Sequence, residues 1–156
     1  ALYEGIMAIS RRQQRKLVRE GAEEPGYAAY AAALAARLLS RHNLGSLPVC
    51  GEDGGLRGIV TDRDIVTRCV AAGEEPGRVP VRDIMSPAPS VITPETPISD
   101  AARLMAQRQV RRLPVVEQGH VVGMLSLGDL ARSRRTDTEA AAALSDISAS
   151  LRRKKR

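Results

Sequence analysis

Gly58-Ile59-Val60-Thr61-Asp62-Arg63-Asp64 recurs in altered form as Gly123-Met124-Leu125-Ser126-Leu127-Gly128-Asp129. Each stretch is a glycine, an apolar pair, a hydroxyl residue, two variable residues and an aspartate. Each follows a matching apolar run, Leu47-Pro48-Val49 in one case and Leu113-Pro114-Val115 in the other. Leu47 and Leu113 are 66 residues apart, Gly58 and Gly123 are 65 apart. A period of this length, repeated once, denotes two copies of a small supersecondary unit.

The second copy is the clearer. Ser90-Val91-Ile92-Thr93 is β-prone and Pro94 stops it. Thr96 is placed to cap a helix whose first position is Pro97. Ile98, Ala101, Ala102 and Met105 then share one apolar helical face. Residues 113–116 read as a buried strand, Glu117-Gln118-Gly119-His120 as a hairpin loop, and residues 121–125 as the return strand. Ser126 caps a following helix, with Asp129 as its partner three residues on. That helix is expected to run to about Arg135.

The first copy repeats this order from its helix onward. Ala32, Ala35 and Leu39 correspond to Ile98, Ala101 and Met105 in a helix expected over residues 27–41. Residues 47–50 and 56–60 are the strands, residues 51–55 the turn, and Thr61 with Asp64 the next cap. Upstream the match fails, because Glu23-Glu24-Pro25-Gly26-Tyr27 has turn chemistry where the second copy has its first strand. The chain therefore divides into an extension (1–27), a first repeat without a clear first strand (28–75), a second repeat (76–135), and a closing helix with a basic tail (136–156). A weak apolar stripe suggests a helix over residues 6–20. In the closing helix, Thr136 and Glu139 form a capping box and Leu144, Ile147 and Leu151 line one face.

Composition narrows the function classes. Hydrophobic residues make up 43% of the chain but aromatics only 2%, with no Phe or Trp, so stacking platforms for single-stranded nucleic acid are scarce. No apolar run approaches the ~18 residues of a membrane span, and no signal peptide pattern is seen. The net charge of +6 is concentrated at the ends: residues 152–156 are all basic, and residues 1–20 hold five basic and two acidic groups. Such a tail reads either as a solvated terminus or as an arm for an acidic partner. Cys50 and Cys69 match no metal motif and are expected as free thiols in a reducing, cytoplasmic setting. His42 and His120 fall on loops away from a matching acid, no catalytic or metal-ligating set is apparent, and the chain is not expected to be an enzyme.

The pattern Leu113-Pro114-Val115-Val116, hairpin, Gly123-Met124-Leu125-Ser126-x-x-Asp129, repeated with Thr61-x-x-Asp64, resembles a tandem CBS-domain pair, or Bateman module, over about residues 28–135. The Val81-Arg82-Asp83-Ile84-Met85 lead-in fits the same family, and the body looks like its small stand-alone bacterial members. The resemblance implies an α/β (α+β) fold of two quasi-equivalent β-α-β-β-α repeats packed about a pseudo-twofold axis. It implies a non-catalytic regulatory module that binds an adenine nucleotide (AMP, ADP, ATP or a related adenosyl ligand) in the cleft between repeats, with no other cofactor. Asp129 and Asp64 would then accept from ribose hydroxyls, with Ser126 and Thr61 beside them. Arg111 and Arg112 would contact phosphate, and Ile92, Thr93 and Pro94 would line the adenine. A homodimer formed through helices and a downstream protein partner are implied as well.

Two readings of the Thr61–Asp64 and Ser126–Asp129 pairs stand side by side: helix caps alone, or caps that also hold a ligand. The duplication and the adjacent Arg111 and Arg112 favour a ligand in the second copy. In the first copy Gly45 and Ser46 stand where those arginines would be, and His42 aligns with Arg108. The alternative function is a ligand-free interaction protein whose basic ends bind nucleic acid or an acidic partner.

Overall fold

The computed structural model describes residues 31–51, 53–132 and 137–153. Two compact units hold them. Of these residues, one unit comprises 31–89 with the short stretch Gln118–Val121; the other comprises Ser90–Glu117 and those from Val122 onward. The sequence readings on residues 1–30, the missing first strand among them, lie outside the described residues, as do Thr136 and the basic tail from residue 154.

The first-repeat unit opens with α1 (Ala32–Arg41), rich in strong helix formers. Ala32, Ala35 and Leu39 are buried along one face, as their spacing predicts. No side chain caps its N-terminus. Instead the Ala32 and Ala33 N–H groups donate to the carbonyls of Val79 and Pro76, at 2.8 and 2.9 Å, so the linker satisfies the first-turn donors. Asn43, at φ 51°, ends the helix in the left-handed region. β1 (Ser46–Cys50) and β2 (Leu56–Thr61) then pair antiparallel, Ser46 opposite Thr61 and Val49 opposite Gly58.

Thr61 starts α2 (Asp62–Asp64), which widens into a π-helical stretch, Ile65–Val70. The Ala71 N–H reaches back five residues to the Val66 carbonyl at 2.8 Å. Gly73, at φ 76°, closes the segment, with its N–H on Val70 and that of Glu74 on Cys69. The short α3 (Val81–Ile84) buries Val81 and Ile84 in the core of this unit, and β3 (Ser86–Pro87) adds a third strand beside β2. Residues assigned from sequence to the start of the second repeat thus complete the core of the first.

In the second-repeat unit the β-prone Ser90–Thr93 stretch contracts to one parallel bridge. Ile92 donates to the Pro114 carbonyl at 3.0 Å and accepts from the Val116 N–H at 2.8 Å. Pro114, lacking an N–H, is asked only to accept. α4 (Ile98–Arg108) follows with Pro97, not Thr96, at its N-cap. The Thr96 hydroxyl turns back instead to accept the Thr93 N–H at 3.0 Å, a correction to the predicted cap. Gln109, at φ 56°, ends α4 as Asn43 ends α1.

β4 (Arg112–Glu117) and β5 (His120–Ser126) form a hairpin. Gln118 and Gly119 both have positive φ, 50° and 82°, the geometry of a two-residue turn that matches strand twist. α5 (Leu127–Ala131) is short, ending well before the Arg135 boundary expected from sequence. α6 (Asp137–Arg153) packs on α4 and α5. Its inner face is Ala143 and Ile147, both buried with Met105, Leu113, Leu125 and Leu130. Leu144, assigned to that face from sequence, is 46% exposed. Ala143 and Ile147 are four residues apart and define the stripe, and Leu144 falls one step off it.

Candidate functional site

The first turn of α5 is built by local chemistry. Ser126 leaves β5 in an extended conformation, φ −109° and ψ 156°. Its hydroxyl accepts the Asp129 N–H at 3.1 Å and donates to Asp129 Oδ2 at 2.6 Å, while its own N–H donates to the same Oδ2 at 2.8 Å. The predicted capping box is therefore formed in full. It occupies one carboxylate oxygen. Among the described residues the other, Oδ1, meets Arg132 at 3.2 Å, an arginine that is 81% exposed and whose Nε donates to the Gly128 carbonyl at 3.3 Å.

Tertiary structure brings Arg111 to this turn. The Leu127 N–H donates to the Arg111 carbonyl at 2.9 Å, so the residue after Ser126 is tied to the start of β4. Arg111 is exposed and Arg112 half-buried. Neither guanidinium has an ion-pair partner among the described residues. α5 spans five residues, too few for a strong dipole, so positive potential here comes from arginine side chains rather than from the helix end. The Ile92–Pro114 bond places residues 92–94 beside the same strand. The Ile92 side chain is 4% exposed and belongs to the core; Thr93 is exposed and Pro94 half-buried, so these two present their surface.

The first repeat has the same cap with different surroundings. Asp64 Oδ2 accepts the Thr61 N–H at 2.9 Å and its hydroxyl at 2.7 Å, and the Thr61 hydroxyl accepts the Asp64 N–H at 3.1 Å. Its Oδ1 faces Arg68 at 3.5 Å, and the Asp64 side chain is only 13% exposed. Arg68 Nη1 donates to the carbonyls of Ile84 and Met85 at 2.9 and 3.0 Å and to Ser86 Oγ at 3.3 Å. Asp64 is thus held in a structural network, and Ser46, at the position of Arg112, is buried. The first unit also has an apolar groove lined by Leu34, Leu38, Leu47, Val49, Val60 and Val81.

Sequence reasoning missed Arg68 and Arg132 as partners of the two aspartates. The signal was present, since an acid followed by a base three or four residues on within a helix places both on one face. His120 is exposed, its Nδ1 donating to the Gln118 carbonyl at 3.0 Å, and His42 is the half-buried C-cap of α1. Among the described residues no three His, Cys, Asp or Glu side chains gather as metal ligands. Cys50 and Cys69 are both free thiols, and burial pushes the Cys50 thiol above its ordinary value. No described helix is long and apolar enough to cross a membrane.

Two like units, each with a hydroxyl–carboxylate box at the opening of its second helix, define a tandem repeat. The CBS domain family model matches residues 33–71 and 81–135, and the chain belongs to that family. The CBS domain-containing protein YhcV of Bacillus subtilis is 45% identical over 114 residues, covering 73% of this chain and 80% of YhcV. Among solved structures, the CBS domain protein PAE2072 from Pyrobaculum aerophilum complexed with AMP is 26% identical, with a TM-score of 0.67, over 76% of this chain and 89% of that one. Hypoxic Response Protein I with two coordinated zinc ions is 31% identical, with a TM-score of 0.63, over 70% and 88%.

Proposed function

We propose that this protein is a non-catalytic sensor of adenine nucleotides, acting as a homodimer in a reducing compartment and read by a downstream protein. The nucleotide binds through the second repeat. Asp129 accepts from the ribose hydroxyls, Ser126 stands beside it, Arg111 and Arg112 hold phosphate, and the 92–94 stretch contacts the base through Thr93 and Pro94. One observation carries the reading: Asp129 keeps a carboxylate oxygen outside its capping box, 3.2 Å from an exposed arginine, at the turn to which Arg111 is hydrogen-bonded. A carboxylate oxygen so placed can accept from a diol, and two guanidinium groups without ion-pair partners among the described residues suit a phosphate. AMP bound to PAE2072 supports the ligand class. Thr61 and Asp64 form the weaker, second candidate, because Arg68 already engages the free oxygen and no arginine pair adjoins it.

Calorimetric titration with AMP, ADP, ATP, S-adenosylmethionine and NADH tests this. Asp129→Ala removes a charged acceptor and should weaken binding by about 1.5–3 kcal/mol, or roughly 10- to 150-fold, with Asp64→Ala affecting it less. Binding lost in Asp64→Ala but kept in Asp129→Ala would assign the ligand to the first repeat. Absence of binding to the native protein at millimolar nucleotide would remove the sensor reading and favour an interaction protein acting through its basic ends.

A further inference from the structure

The fold gives no reason for a glycine at position 128. Gly128 lies inside α5 with backbone angles open to any residue, since the described glycines of positive φ are Gly54, Gly73 and Gly119. A glycine inside a helix costs stability relative to alanine. Close packing does not call for it either. Apart from its chain neighbours and its own helix backbone, a β-carbon there would meet the Ser126 hydroxyl oxygen at 3.7 Å, an ordinary contact, and nothing nearer. Gly58 is the contrast, with the Ser86 backbone oxygen only 2.8 Å from where its β-carbon would stand.

The cap does not require the glycine. The first repeat builds the same capping box with Arg63 at this place, between Asp62 and Asp64. A long side chain is therefore compatible with the turn. What distinguishes the second repeat is the acceptor beside Gly128. Arg132 Nε donates to the Gly128 carbonyl at 3.3 Å, while its Nη2 donates to Asp129 Oδ1 at 3.2 Å. One guanidinium reaches both residues, so Gly128 and the carboxylate oxygen outside the box border the same patch of surface. Gly128 is itself exposed.

We infer that Gly128 is a specificity-determining residue of the second repeat: its missing side chain is the clearance through which the ribose of an adenine nucleotide reaches Asp129 Oδ1. This role rests on the sensor reading and adds to it a reason why the ligand takes the second turn. In the first turn Arg63 fills the equivalent place, and Oδ1 of Asp64 already faces Arg68 at 3.5 Å. A residue that breaks the local helical preference without a structural need is the kind of departure a functional site produces.

Calorimetric titration of the full chain with AMP and with ATP, beside thermal melts without ligand, tests this through two readouts of opposite sign. Gly128→Ala should raise the melting temperature by about 1–3 °C, because alanine is the better helix former and has room. The same change should weaken AMP binding roughly tenfold, because a methyl group intrudes where the ribose must come. Gly128→Gln, a neutral counterpart of the long side chain in the first repeat, should weaken binding at least as much, with stability at or above native. A lower melting temperature for Gly128→Ala would overturn the inference, since the fold would then need the glycine. Binding lost in Asp129→Ala but unchanged in Gly128→Ala sinks this inference alone. A native protein that binds neither nucleotide sinks the sensor reading and this inference with it.

Discussion

Asp64 and Arg68 form an ion pair at 3.5 Å across one turn, and the same guanidinium donates to the carbonyls of Ile84 and Met85 at 2.9 and 3.0 Å. One side chain thus fastens the helical segment after β2 to the lead-in of the next strand. The π-helical widening occurs in the same segment, the kind of local irregularity that often accompanies a functional or positioning role.

Arg68→Ala should destabilise the first unit by about 1–2 kcal/mol, because it strands two carbonyl acceptors and a half-buried carboxylate. The arginine is itself 46% exposed, which keeps the figure below that of a fully buried charge. Arg132→Ala, which removes an 81% exposed partner of Asp129, should change stability by less than about 0.5 kcal/mol. Urea denaturation of the two variants gives the comparison; equal effects would mean that the carbonyl contacts of Arg68 contribute nothing.

Ser126→Ala should cost about 1 kcal/mol by deleting the cap that serves the Asp129 N–H. Ser126→Thr should retain most of it. A thermal melt distinguishes them, and coincident curves for the two variants would deny the cap an energetic role.

Gly58→Ala should destabilise by about 1–3 kcal/mol. A β-carbon there would stand 2.6 Å from Met85 Sδ and 2.8 Å from the Ser86 carbonyl oxygen. The methionine can rotate, but the carbonyl is backbone of the strand paired with β2. Denaturation showing native stability would mean that β3 moves off at no cost.

Cys50 should alkylate slowly at pH 8 relative to a cysteine in an unfolded peptide. Burial raises its thiol above the ordinary 9.0, with Arg57 opposing in part. A raised folded-state value means that the stability contributed by the protonated thiol is fully present at neutral pH. It is lost as pH climbs above 9.0 toward the folded value. Iodoacetamide labelling across that range checks the sign, and peptide-like reactivity at pH 8 would refute it.

Much of this architecture is readable locally. The two capping boxes need only a hydroxyl residue and an aspartate three positions later, and both formed. Ala32, Ala35 and Leu39, and likewise Ala101, Ala102 and Met105, are buried as their spacing predicts. Local reading failed where two periodicities competed or where a partner was distant. Leu144 and Ile147 satisfy a helical spacing, but Ala143 occupies the inner face. Thr96 has the chemistry of a cap, yet its hydroxyl finds the Thr93 N–H.

The sequence by itself determined two copies of a helix–strand–strand–helix unit, their core faces and the caps at Thr61 and Ser126, because each depends on residues within a turn or two of one another. Only the tertiary structure decided what surrounds those caps. It set Arg111 at the α5 turn through the Leu127 N–H, gave the free oxygen of Asp64 to an arginine anchored on residues 84–86, and left Val66 and Val70 exposed. These outcomes rest on hydrogen bonds and packing between segments 16 or more residues apart in most cases. No periodicity encodes such pairings, and they arise only when the folded chain must satisfy every buried donor, acceptor and apolar surface at once.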